Sequence, residues 1–135
     1  SKSVRDVTRS ATSPLIALLT RLSRIDGVVA AALTTAEGLP IAATGRPAAA
    51  ELAELRSATT AAIFGAVGRA LPGLGLGQVH AATIETTAYT VYLCGLGDLV
   101  LSAVAEPSAE RATIRAELTQ VAEVLARVNR ASKGS

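Results

Sequence analysis

The residues able to do chemistry are few and scattered. His80 is the single histidine and Cys94 the single cysteine. A zinc site needs about four ligands, and no acidic residue or cysteine stands at ligand spacing beside His80. It reads as a surface or interface histidine. A thiol nucleophile needs a nearby base and a lowered pKa. Cys94 has apolar neighbours and reads as a small buried hydrophobe; being alone, it forms no internal disulfide. Glu51 with Glu54, and Glu106 with Glu110, are the closest acidic pairs. Paired carboxylates can do acid–base work, but all four fall near expected helix N-termini, where the helix dipole favours negative charge. They read as structural.

The run Gly73-Leu74-Gly75-Leu76-Gly77 has the glycine density of a phosphate loop. A phosphate loop has a strand before it and a helix N-terminus after it, usually with Lys and Ser/Thr. Here a helix precedes, a strand follows and lysine is absent. The facing helix C-terminus repels anions, so the run reads as a linker. Arg56 and Arg69 are the cations in the body of the central helix. A guanidinium can grip phosphate or an acidic surface, so both are candidate partner-binding residues. Neither stands on a long loop, so no arginine finger is expected. No catalytic residue, cofactor or metal is expected.

Composition narrows the function further. The 135 residues carry a net charge of +2 and are 50% hydrophobic, yet only 2% are aromatic. Much of the apolar content is alanine, which buries little area per residue, so oligomerisation is a natural remedy. Arg and Glu are interspersed, and no basic stripe is interleaved with aromatics, which argues against nucleic-acid binding. No apolar run approaches the ~18 residues of a membrane span, and the N-terminal stretch lacks the apolar region of a signal peptide. A cytoplasmic protein with no membrane insertion is the expectation.

The elements that position these residues follow from periodicity and breakers. Residues 1–12 read as a flexible tail, 13–130 as one domain and 131–135 as a second tail. Ser13-Pro14 starts a helix with Leu15, Leu18, Leu19, Leu22 and Ile25 on one face, ended by Asp26-Gly27. Strands are expected over 28–35 and 39–43, the second at a sheet edge because Pro40 cannot donate to a ladder. A long helix over 47–71 follows, then strands over 78–86, 88–95 and 99–105. Pro107-Ser108 opens a last helix whose apolar face is Ile114, Leu118, Val121, Leu125 and Val128. The order is α-β-β-α-β-β-β-α. Short turns imply antiparallel pairing. Strands apolar on both sides imply helices on both faces. The fold class is therefore α/β, a three-layer α/β/α sandwich around a five-stranded, mainly antiparallel sheet.

The central helix carries two stripes. Leu52, Leu55, Thr59, Ile63, Val67 and Leu71 recur at helical spacing and are expected to face the sheet. Ala58, Ala61, Gly65 and Gly68 form a second stripe of very small residues. Each glycine costs about 1 kcal/mol of helix propensity relative to alanine, which suggests a close approach by a second helix, most simply that of another copy; a helix buried within a single domain, its glycines tolerated, is the alternative.

Several segments in order resemble the Roadblock/dynein light chain family of the longin-like superfamily. They are Ile25-Asp26-Gly27-Val28 with the alanine-rich strand, Glu37-Gly38-Leu39-Pro40-Ile41-Ala42, the alanine-rich helix, the Gly-rich loop, and Gly97-Asp98-Leu99-Val100-Leu101. The resemblance spans about residues 13–128. It implies a dimer in which third strands pair into one sheet and central helices lie side by side. The expected interface is Ala58, Ala61, Ala62, Gly65 and Gly68 with Val79, Ala81 and Thr83. It also implies a small Ras-like GTPase as partner, regulated by remodelling of its own switch regions. A passive scaffold, and a small-molecule sensor using a pocket under the Gly-rich loop, are the alternatives. Gly65→Leu is expected to break such a dimer by steric overlap. Light scattering over a dilution series checks this, and a dimeric variant at micromolar concentration refutes that interface.

Overall fold

The computed structural model describes residues 4–45 and 53–134. The elements are α1 (Val4–Ser23), β1 (Val28–Thr35), β2 (Pro40–Gly45), α2 (Ala53–Gly73), β3 (Ala81–Glu85), β4 (Thr90–Leu96), β5 (Leu99–Ala105) and α3 (Arg111–Gly134). The order is the one expected from the sequence. The strands form one antiparallel five-stranded sheet, β2-β1-β5-β4-β3. A hairpin joins β1 to β2 and a meander runs β3–β4–β5. Helix α2 carries the chain from one edge strand, β2, to the other, β3. The edge position of β2 suits Pro40, which has no N–H for a second neighbour.

The main core lies between the sheet and the pair α1/α3. Leu19 and Leu22 of α1, Leu33 of β1, Leu101 of β5, and Ile114, Leu118, Val121 and Leu125 of α3 are all buried in it. These are the faces that three- and four-residue spacing marks out. Arg21 ties the two helices together: its Nε donates to Glu117 Oε2 at 2.7 Å and its Nη2 to Gln120 Oε1 at 2.7 Å. Gly27 makes the corner between α1 and β1 with a φ of 90°. A Cβ there would stand 2.6 Å from the Ala109 Cβ, so conformation and space both require glycine.

Several boundaries differ from expectation. Helix α1 begins at Val4, so Ser13-Pro14 does not start it and Pro14 lies inside it. Pro14 has no N–H to give, so the helix lacks one rung there. The expected start of α2 at 47 lies outside the described residues. Strand β3 is shorter than expected because 78–80 keep only one ladder bond, Gly95 N–H to the His80 carbonyl at 3.0 Å. Strand β4 starts at Thr90 because Thr86 Oγ1 accepts from the amides of Ala88 and Tyr89 at 3.2 and 2.9 Å, closing a side-chain turn. Pro107-Ser108 belongs to a turn closed by Ala109 N–H on the Glu106 carbonyl at 3.0 Å, and α3 starts only at Arg111. Val128 is 50% exposed, because α3 outruns the core it covers.

Leu101 is fully buried at the centre of the core. Leu101→Ala is expected to lose about 2–5 kcal/mol in urea unfolding. Arg21→Gln, at a half-exposed ion pair, is expected to lose under about 1 kcal/mol.

Candidate functional site

Among the described residues, helix α2 is alone on the opposite face of the sheet. It touches β1, β2, β4 and β5, and none of its residues joins the main core. Three contacts seat it. Ser57 is buried, and its Oγ accepts a hydrogen bond from Thr34 Oγ1 at 3.2 Å. Ala61, one turn on, is buried as well. Phe64 lies over Gly95 of β4, where a Cβ would stand 2.6 Å from the ring's Cε1. Ser57, Ala61 and Phe64 thus form the sheet-facing stripe, at spacings of four and three.

That stripe corrects the expected orientation. Thr59 and Ile63, expected on the sheet, are exposed, Ile63 at 39%. Val67 and Leu71 are half-buried. Leu52 lies outside the described residues, as does the side chain of Leu55. The cause is that α2 is apolar nearly all round, unlike α1 and α3, so periodicity does not select one face. The informative signal was a pair: the only phenylalanine of the chain and a glycine inside a strand. A strand glycine marks a close approach by another group.

The expected interface residues fall in different places. Ala58 and Ala62 are exposed, with Ala66 beside them, and Gly65 and Gly68 are half-buried. Ala61 is not available to a partner, because it already faces the sheet. A Cβ on Gly65 would meet only the movable Arg69 guanidinium, at 3.2 Å, and one on Gly68 would meet nothing within 4 Å. On the edge strand side, Val79 is half-buried and Ala81 exposed. Thr83 accepts a hydrogen bond from Arg115 Nη2 at 3.0 Å, and Arg111 pairs with Glu85, so α3 braces β3 from the other face. Strand β3 is hydrogen-bonded on one side only. Arg69 is exposed and Arg56 half-buried.

Beside α2 the sheet is incompletely covered. A cleft of about 390 Å³ lies between the Thr59/Ile63 side of the helix and the strands, lined by Ile84, Val91, Val104 and Ser102 and flanked by Arg56. The Gly-rich loop over 73–77 takes no part in it. Its leucines, Leu74 and Leu76, point outward at 73% and 68% exposure. His80 is exposed just before β3. Burial pushes the Cys94 thiol up, which lowers its thiolate fraction at neutral pH. Among the described residues no group of three or more His, Cys, Asp or Glu can hold a metal ion. No helix among them is long and apolar enough to cross a membrane.

This geometry can be set beside known proteins. The family model of the Roadblock/LC7 domain matches residues 16–105. The chain belongs to the Roadblock/LC7 family. Solved structures of this family share its fold. MglB of Myxococcus xanthus superposes with a TM-score of 0.79 at 16% identity, covering 85% of this chain and 86% of that one. A Roadblock/LC7 domain from Streptomyces avermitilis gives 0.75 at 19% identity, covering 84% and 95%. MglC of Myxococcus xanthus gives 0.59 at 14%, covering 82% and 95%. Comparison with curated proteins finds no match. At these identities the likeness is one of fold.

In this Roadblock/LC7 domain one of the three contacts that seat α2 is an aromatic ring over a glycine. Gly95→Ala is expected to push α2 off the sheet and cost about 1–3 kcal/mol by overpacking. Adding Phe64→Leu is expected to recover part of that loss, because the ring is what the new methyl meets. A double-mutant cycle in urea checks this, and additive losses refute it.

Proposed function

We propose that this Roadblock/LC7 domain is a non-enzymatic, homodimeric regulator of a small Ras-like GTPase. The carrying observation is α2. A helix apolar nearly all round belongs in a buried setting, yet Ala58, Ala62 and Ala66 are exposed on it. A second copy of the helix would cover them. Small side chains at Ala62, Gly65 and Gly68 would let the two backbones come close. The free edge of β3, with Val79, Ala81 and Thr83, would pair with its own copy and extend the sheet. In that arrangement Ala66 takes the place of Ala61. A solved MglB structure described as tetrameric supports self-association in proteins of this fold.

The paired helices would then form a rigid platform for the switch regions of a cytoplasmic GTPase. Arg69 is exposed on α2, and Arg56 is half-exposed near its start; both can meet acidic or phosphate groups there. Both stand on a helix rather than a long loop, so faster hydrolysis would come from repositioning the GTPase's own groups.

Gly68→Leu separates this reading from a protomer effect. Within one protomer the position is open, so the variant should keep its fold and gain up to about 1 kcal/mol of helix stability. Its dimer should be lost in light scattering, and any stimulation of GTP hydrolysis with it. A Gly68→Leu protein that remains dimeric refutes the helix pairing. Intact binding with unchanged GTP turnover in the native chain would make it a passive scaffold.

A further inference from the structure

The cleft beside α2 has a composition of its own. Its floor is two cross-strand rows. Ile84, Val91 and Val104 are consecutive partners across β3, β4 and β5. Leu93, Ser102 and Ala32 are partners across β4, β5 and β1. The second row is shallow because Ala32 and Ser102 are small, so the sheet is hollow there. The facing wall is Thr59, Thr60 and Ile63 of α2. The Ser57 and Thr34 hydroxyls at its inner end are bonded to each other. Arg56 is the only charged side chain lining the cleft among the described residues. It makes no ion pair or hydrogen bond among them either.

We infer that this cleft binds a small amphiphilic carboxylate, its apolar body along Ile84, Val91 and Val104 and its head group on the Arg56 guanidinium. A volume of about 390 Å³ falls in the range of small-molecule sites, which are mostly apolar with a few placed polar groups. A helix 10–12 Å across fills roughly 400–600 Å³ per turn, so the cleft is too short to seat a partner helix. The charge complement is specific. A half-buried guanidinium with no carboxylate partner among the described residues gains most from a ligand that brings one, because a charge-assisted pair outweighs a neutral hydrogen bond. No group able to act as a general acid or base lines the cleft among the described residues, so the ligand is held and not transformed. The inference stands on this cleft alone and does not depend on a GTPase partner.

The test is titration of the full ¹⁵N-labelled chain with decanoate below its micelle concentration, with decanol and butyrate in parallel. Decanoate is expected to give saturable shifts centred on Ile84, Val91, Val104 and Thr60. Arg56→Gln keeps helix propensity and is expected to weaken decanoate at least tenfold, to about the level of decanol on the native chain. Butyrate, lacking the apolar body, is expected to give no saturable shift. Ala32→Leu fills the hollow without touching the charge and is expected to abolish binding, with circular dichroism confirming the fold of both variants. Equal decanoate affinity in the native chain and Arg56→Gln overturns the inference. So does an absence of saturable shifts in the native chain, or shifts spread over the α1/α3 face. Shifts of the cleft residues that follow protein concentration in light-scattering-matched samples, and not decanoate, would show a second copy in the cleft and equally overturn it.

Discussion

The ring of Phe64 resting over Gly95 is the contact on which the rest of the second face depends. One side of the sheet is sealed by two helices whose leucines, isoleucine and valines interlock. The other side has a single helix rich in alanine and glycine, which cannot fill an equal area. Such a helix needs a fixed point. A glycine in β4 leaves room for the one large side chain that α2 offers. The Thr34–Ser57 hydrogen bond, about two turns away, sets the helix's rotation. Together these two contacts decide which residues of α2 look down and which look out.

From that placement come both features of interest. Seating α2 on Ser57, Ala61 and Phe64 turns Ala58, Ala62 and Ala66 outward, an unusual surface for a helix facing water alone. The same seating tips Thr59 and Ile63 toward an uncovered part of the sheet and opens the cleft. The two sides of the helix therefore differ in kind. The outward side is flat and small-residued, suited to another backbone. The cleft side is concave, apolar and bordered by a cation, suited to a compact anionic molecule. Bracing of β3 by Arg111 and Arg115 of α3 holds the sheet's free edge in place beneath both.

The chemistry-bearing residues take no part in this arrangement. His80 is exposed, and Cys94 is half-buried with a raised pKa. The acidic residues Asp26, Glu106 and Glu110 lie near one corner, far in sequence from α2. Nothing among the described residues assembles a nucleophile, a base and an orienting group.

The sequence by itself determined the element order, the antiparallel pairing and the α1/α3 core. The bulky residues at three- and four-residue spacing, such as Leu19, Leu22, Ile114 and Leu118, have only one way to be buried. The edge position of β2 was legible from Pro40, and the family from the ordered segments around Gly27, Pro40 and Gly97. Helix ends were less legible, because Pro14 and Pro107 carry the same local signal whether they start a helix, interrupt one or form a turn. Only the tertiary structure decided the rotation of α2, and so the interface candidates and the cleft. When a helix is apolar on every side, burial free energy scarcely changes with rotation. The choice then falls to contacts between residues distant in sequence, Phe64 with Gly95 and Ser57 with Thr34, which no local pattern contains.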